Sequence, residues 1–101
     1  MADWIFFMHP YRDKFMETIT QEEQNAFAQH THWLQRLDAE GRLILAGPCL
    51  GDTNTGVGVF EAADEDEARE IIAREPVTSS GLMRPDLRPF ALGFARSRER
   101  P

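Results

Sequence analysis

Cysteine is nearly missing from this chain: Cys49 stands alone, so no internal disulfide can form. Long apolar runs are missing too. No stretch approaches the roughly 20 residues needed to cross a bilayer, and no charged-then-apolar leader precedes the first strand-like segment. These absences predict a reducing, cytoplasmic setting with no membrane partner. Positive charge is scarce: 11 Lys and Arg against 17 Asp and Glu leave a net charge of −6. Such a surface neutralises no phosphates in bulk, which excludes a nucleic-acid partner. The one basic run, Arg96, Arg98 and Arg100, reads as a frayed, solvated tail over residues 96–101. What the chain does have is apolar content, 42% of its residues, which rules out disorder as the main state. At 101 residues this predicts a single domain over 1–95, small enough that a second copy would help complete its core.

The best-defined stretch runs from Thr20 to Pro48. Thr20 with Glu23 forms a capping box, and Gly41 can take the left-handed conformation that ends a helix at little cost. Between them Phe27, His30, Leu34 and Leu37 recur at helical spacing, which places His30 in the apolar stripe. His32 lies about 200° away around the same helix and faces water. Arg42 to Ala46 then reads as a strand, followed by a Gly47-Pro48 corner and a turn-rich loop around Asn54. Gly56 to Phe60 returns as the other strand of a hairpin.

Upstream, Asp3 to His9 is short and dense in aromatic and branched residues, a strand apolar on both faces. Downstream, Asp64 with Glu67 signals a second capping box, opening a helix to about Arg74 that Pro76 stops; Glu75 prolongs its apolar stripe. Val77 to Asp86 reads as a loop, and the alternation from Leu87 to Ala95 as a last strand. The order β-α-β-β-α-β is the split βαβ arrangement, an α+β ferredoxin-like plait with two helices on one face of a four-stranded antiparallel sheet. The doubly apolar first strand assigns the other face to a homodimer partner.

His30 is the sharpest candidate for chemistry, because an imidazole in an apolar stripe needs a partner. A satisfied core histidine is the plainer account. His9 and Arg12 flank the end of the first strand; His9 would line the same pocket and Arg12 would hold an anionic substrate group, with ordinary loop polarity the plainer reading. Trp33, beside His30, packs the helix or walls the pocket. His30 and His32 are spaced i, i+2 and diverge on a helix, so no metal is expected. No phosphate-cradling GxxxxGK[ST] run is present and no cofactor is expected. Cys49 has no basic neighbour to activate it.

The run His30…Leu37…Glu40-Gly41-Arg42-Leu43…Ala46-Gly47-Pro48 resembles the YCII-related family, as do Gly58-Val-Phe…Asp66-Glu67-Ala68, the pair Glu75-Pro76 and the ending Arg88-Pro89-Phe90. The resemblance spans nearly the whole chain. It implies a dimeric α+β barrel, two plaits packed sheet against sheet, and a site built on a histidine and an aspartate before a proline. The histidine maps onto His30; the aspartate position holds Glu75, one methylene longer. Gly47 and Pro48, in the corner after the second strand, are further candidate substrate-binding residues. The activity the resemblance implies is elimination of HCl from a small chlorinated ring, a lyase- or isomerase-like reaction without metal. Paired in this way, Glu75 would orient His30 as a general acid/base for proton abstraction or elimination on a small cyclic molecule. The alternative is a non-catalytic dimerisation or small-ligand-binding module.

Overall fold

The computed structural model describes residues 1–96. Its elements are β1 (Ala2–Pro10), α1 (Gln21–Ala39), β2 (Leu43–Pro48), β3 (Gly56–Ala62), α2 (Glu65–Ala73), the short α3 (Pro76–Ser79) and β4 (Met83–Phe90). The strands form one antiparallel sheet in the order β2-β3-β1-β4, and the helices pack on it. This is the α+β ferredoxin-like plait. The expected tail begins at Arg96, and residues 97–101 lie outside the described residues.

Alternation along β1 decides where the core lies. Trp4, Phe6 and Met8 are buried, whereas Ile5, Phe7 and His9 on the opposite face are half-buried. Above the buried set sit Trp33 and Leu37 of α1, Ala68 and Ile72 of α2, and Val77 of α3. Gly58, opposite Phe6 in the central β1/β3 pair, has no room for a side chain because the Phe6 ring lies over it.

The ends of α1 follow the sequence. Thr20 Oγ1 accepts the Glu23 N–H at 3.2 Å, and Glu23 Oε1 accepts the Thr20 N–H at 2.9 Å, closing the box. At the other end Gly41 has φ +73°, and its N–H and that of Arg42 bond the carbonyls of Asp38 and Leu37. That pair of bonds satisfies two carbonyls the helix would otherwise leave open.

Four expectations need correction. Asp64 does cap α2, but the Glu67 carboxylate turns back to the Ala63 N–H and to Arg42, not to Asp64. The stretch after Glu75 is not a plain loop: Pro76 opens α3, a proline at the first helical position costing nothing because its N–H would be unpaired anyway. Glu75 accordingly caps α3 and does not extend the stripe of α2. The last strand runs over Met83–Phe90, earlier than its alternation suggests, and 91–96 is irregular. Pro85 and Pro89 sit inside it because β4 is a sheet edge. Two prolines of the same parity can both turn their nitrogens away from β1 without removing a ladder bond.

Candidate functional site

Glu75 is 1% exposed, a carboxylate in the core. Such a group must be hydrogen-bonded to be tolerated, and here two bonds come from the adjacent backbone and a third from His30. As the cap of α3 it accepts the Val77 N–H on Oε1 at 2.8 Å and the Thr78 N–H on Oε2 at 2.7 Å. Oε1 also meets His30 Nδ1 at 2.9 Å. Burial pushes the carboxyl up, but the bonds from His30, Val77 and Thr78 outweigh it and hold Glu75 below the usual glutamate range. An ionised carboxylate only accepts, so the proton between the two groups belongs to His30 Nδ1. In the neutral imidazole Nε2 then carries the lone pair.

Helix α1 holds the ring from two sides. Trp33 stacks on it with centroids 5.8 Å apart, and Phe27 meets it edge-on at 5.6 Å. Trp33 is itself held edge-on to Phe6 at 5.6 Å. His30 lines a cavity of about 470 Å³, and among the described residues no protein group hydrogen-bonds its Nε2. The floor is Phe6 and Met8 of β1 with Met83 of β4; the α1 wall is Phe27, His30 and Leu34. Ala46, Gly47 and Pro48 of β2 face them, with Gly56 and Val57 of β3.

The remaining wall comes from the 11–19 segment, which supplies Phe15, Met16 and Ile19. No periodicity marks this segment in the sequence, and it is held instead by Asn54, by Arg12 and by the Lys14 N–H, which donates to the Asp52 carbonyl of the β2–β3 loop at 2.6 Å. Asn54, buried, accepts the Met16 N–H on Oδ1 at 3.0 Å and donates to the carbonyls of Cys49 and Gly51. At its other end Arg12 donates to both Glu23 oxygens, at 2.7 and 2.8 Å, and to Thr18. That guanidinium, with the Thr20 N–H, lowers the Glu23 carboxyl to about 2.

Of the residues singled out from the sequence, the structure brings His30 and Glu75 together and sets Gly47 and Pro48 across the cavity from His30. It does not bring in His9, Arg12 or Trp33. His9 falls on the odd face of β1, where its ring stacks on Phe7 and its Nε2 lies 3.7 Å from Asp86. Arg12 is committed to Glu23, and Trp33 backs the imidazole from the core side. His32 is exposed. Among the described residues no group of three or more His, Cys, Asp or Glu side chains is placed to hold a metal ion. None of the helices described is long and apolar enough to cross a membrane.

Fold and site together define a small α+β plait with a histidine–carboxylate pair beside an apolar cavity. Residues 4–90 match the YCII-related domain, and the chain belongs to that family. Over 58 residues it is 41% identical to "Uncharacterized protein YjpA" of Bacillus subtilis (strain 168), a match spanning 57% of this chain and 67% of that protein. Its fold is similar to that of 5-chloro-2-hydroxyhydroquinone dehydrochlorinase (TftG) from Burkholderia phenoliruptrix AC1100, solved in complex with 2,5-dihydroxybenzoquinone. The TM-score is 0.64 at 22% identity, over 88% of this chain and 95% of that one.

Proposed function

We propose that this protein is a small-molecule enzyme in which His30, oriented by Glu75, acts as general acid/base on a cyclic organic substrate. The observation that carries the reading is the bond from His30 Nδ1 to a buried, ionised Glu75 on one side of the ring, with the cavity on the other. Nε2 takes a proton from a hydroxyl or an acidic C–H of the substrate. The released electron pair forms a new double bond, and for elimination a leaving group such as chloride departs with the electrons of its own bond. The imidazolium so formed is stabilised by the carboxylate at Nδ1, and Nε2 releases the proton in the closing step, to solvent after elimination or back to the substrate at another atom in an isomerisation. The dehydrochlorinase of similar fold, TftG, supports a reaction of this kind on a hydroxylated ring.

The same reading gives the helix-free sheet face to a second copy of the chain. Ile5 and Phe7 lie there half-buried, and Leu45 is 47% exposed. An apolar patch of that kind favours association.

A non-catalytic binding module is the rival, and one observation favours it: Glu75 has a structural occupation as the cap of α3. The test is to incubate the protein with 5-chloro-2-hydroxyhydroquinone and with small cyclic ketones in D2O, following chloride release and deuterium uptake. Either signal, lost in His30→Ala, supports the enzyme. Signals identical in His30→Ala, or absent altogether, leave the binding module.

A further inference from the structure

The cavity is far larger than its one polar anchor needs. At about 470 Å³ it is roughly three times the size of an engineered apolar cavity that holds benzene. A single six-membered ring on His30 would leave most of it unfilled. Among the described residues no Lys, Arg, Asp or Glu lines it. Asn54 does, but its amide is already bonded to Met16, Cys49 and Gly51. The nearby guanidinium of Arg12 is held by Glu23 and Thr18. Among the described residues lining it, His30 is therefore the only one with a ring, amide or hydroxyl atom left without a hydrogen-bond partner.

The apolar wall also has a direction. From His30 it continues through Phe27 to Phe15, whose rings lie 5.9 Å apart, and on to Met16 and Ile19. Three of the chain's four methionines, Met8, Met16 and Met83, line the cavity, and their flexible thioethers adapt to varied apolar shapes. A carboxylate or phosphate entering here would lose its water with no cation to replace it, and with Glu75 directly behind the imidazole.

We propose that the ligand is an uncharged molecule about two rings in size, a phenol or enol with an apolar extension. Its hydroxyl sits on His30 Nε2 and its extension lies along Phe27, Phe15 and Met16. This rests on the reading of His30 as the group that engages substrate, and it adds size and charge to that reading.

Isothermal titration of the full chain with phenol, 2-naphthol and 2-naphthoate tests it. We expect 2-naphthol to bind at least about tenfold more tightly than phenol, and 2-naphthoate at least about tenfold more weakly than 2-naphthol. Ala46 pairs with Gly58, opposite Phe6, and so shares the inward face. Ala46→Leu should narrow the cavity and reduce the preference for 2-naphthol. His30→Ala should weaken both alcohols alike and leave the size preference. Equal affinities for phenol and 2-naphthol, tighter binding of 2-naphthoate, or a size preference untouched by Ala46→Leu would overturn the size and charge inference alone. Affinities unchanged in His30→Ala would remove the anchor, and with it the acid/base reading.

Discussion

Gly58 and Phe6 occupy the same space: a Cβ at residue 58 would lie 2.2 Å from two carbons of the Phe6 ring. Phe6 cannot yield easily, because Trp33 and Phe60 hold it at 5.6 and 5.9 Å. Gly58→Ala is therefore expected to cost about 2–3 kcal/mol by overpacking. Phe6→Leu in the same chain should recover part of that loss, and urea denaturation of the double-mutant cycle reads the coupling. Additive single-mutant effects would mean the close approach is not what excludes a side chain.

Glu75 has two occupations, and substitution should separate them. Glu75→Gln keeps the length but offers an N–H where the site already has donors, so stability should fall by about 1–3 kcal/mol. Turnover should fall further, by about 10²–10⁴-fold, because the imidazolium loses its counter-charge. Glu75→Asp retains the charge but is shorter, and should lose either α3 or the ring. Amide exchange at Val77 and Thr78 together with the His30 ring NMR signals distinguishes the two, and loss of stability without loss of turnover would separate His30 chemistry from Glu75.

Acid stability should carry the mark of two carboxylates. Glu23 and Glu75 both sit below their ordinary value of 4.5 when folded, Glu23 at about 2. As pH falls the unfolded chain takes up these protons first, so each contribution is whole above about 4.5 and fades as pH drops through the folded value. For Glu23 that window runs from 4.5 down to about 2. Denaturation of Glu23→Gln across this range should show a shallower loss than the native chain. Parallel curves would show that the Arg12 tie adds nothing.

Asn54 ties the 11–19 segment to the β2–β3 loop, so Asn54→Ala leaves the Met16 N–H and two carbonyls without their partner. We expect a loss of about 1–3 kcal/mol, faster hydrogen exchange at Met16, and weaker binding of any ligand resting on Phe15. Unchanged exchange at Met16 would show the segment is held by Arg12 and the Lys14–Asp52 backbone bond without help from Asn54.

Sedimentation at micromolar concentration should give a dimer, and Leu45→Glu, placed on the helix-free face, should give a folded monomer. A native chain that sediments as a monomer counts against pairing through that face.

The order of the four strands and of α1 and α2 was legible because these two helices declare themselves by their caps and each inner strand by density of apolar residues. His30 was legible for the same reason, as the polar member of the stripe in α1. The position of β4 was not. Its prolines at 85 and 89 look like breakers until the strand is known to be an edge, whereas Leu87 to Ala95 alternates well without pairing beyond Phe90. Helix α3 was hidden because glutamate is an unusual cap, although a following proline at the first helical position is a signal that such a turn starts. The cavity wall from Phe15 to Ile19 has no local pattern at all; the tertiary bonds of Asn54, Arg12 and the Lys14 N–H create it.

One acid thus serves both a turn of backbone and an imidazole 45 positions away. On the proposed acid/base reading, a descendant of this chain that abandoned turnover would still gain stability from a carboxylate at 75 as the cap of α3. Silent members of such a lineage would be recognised by what replaces the ring at position 30, and the acid would persist in them as a fossil of the reaction.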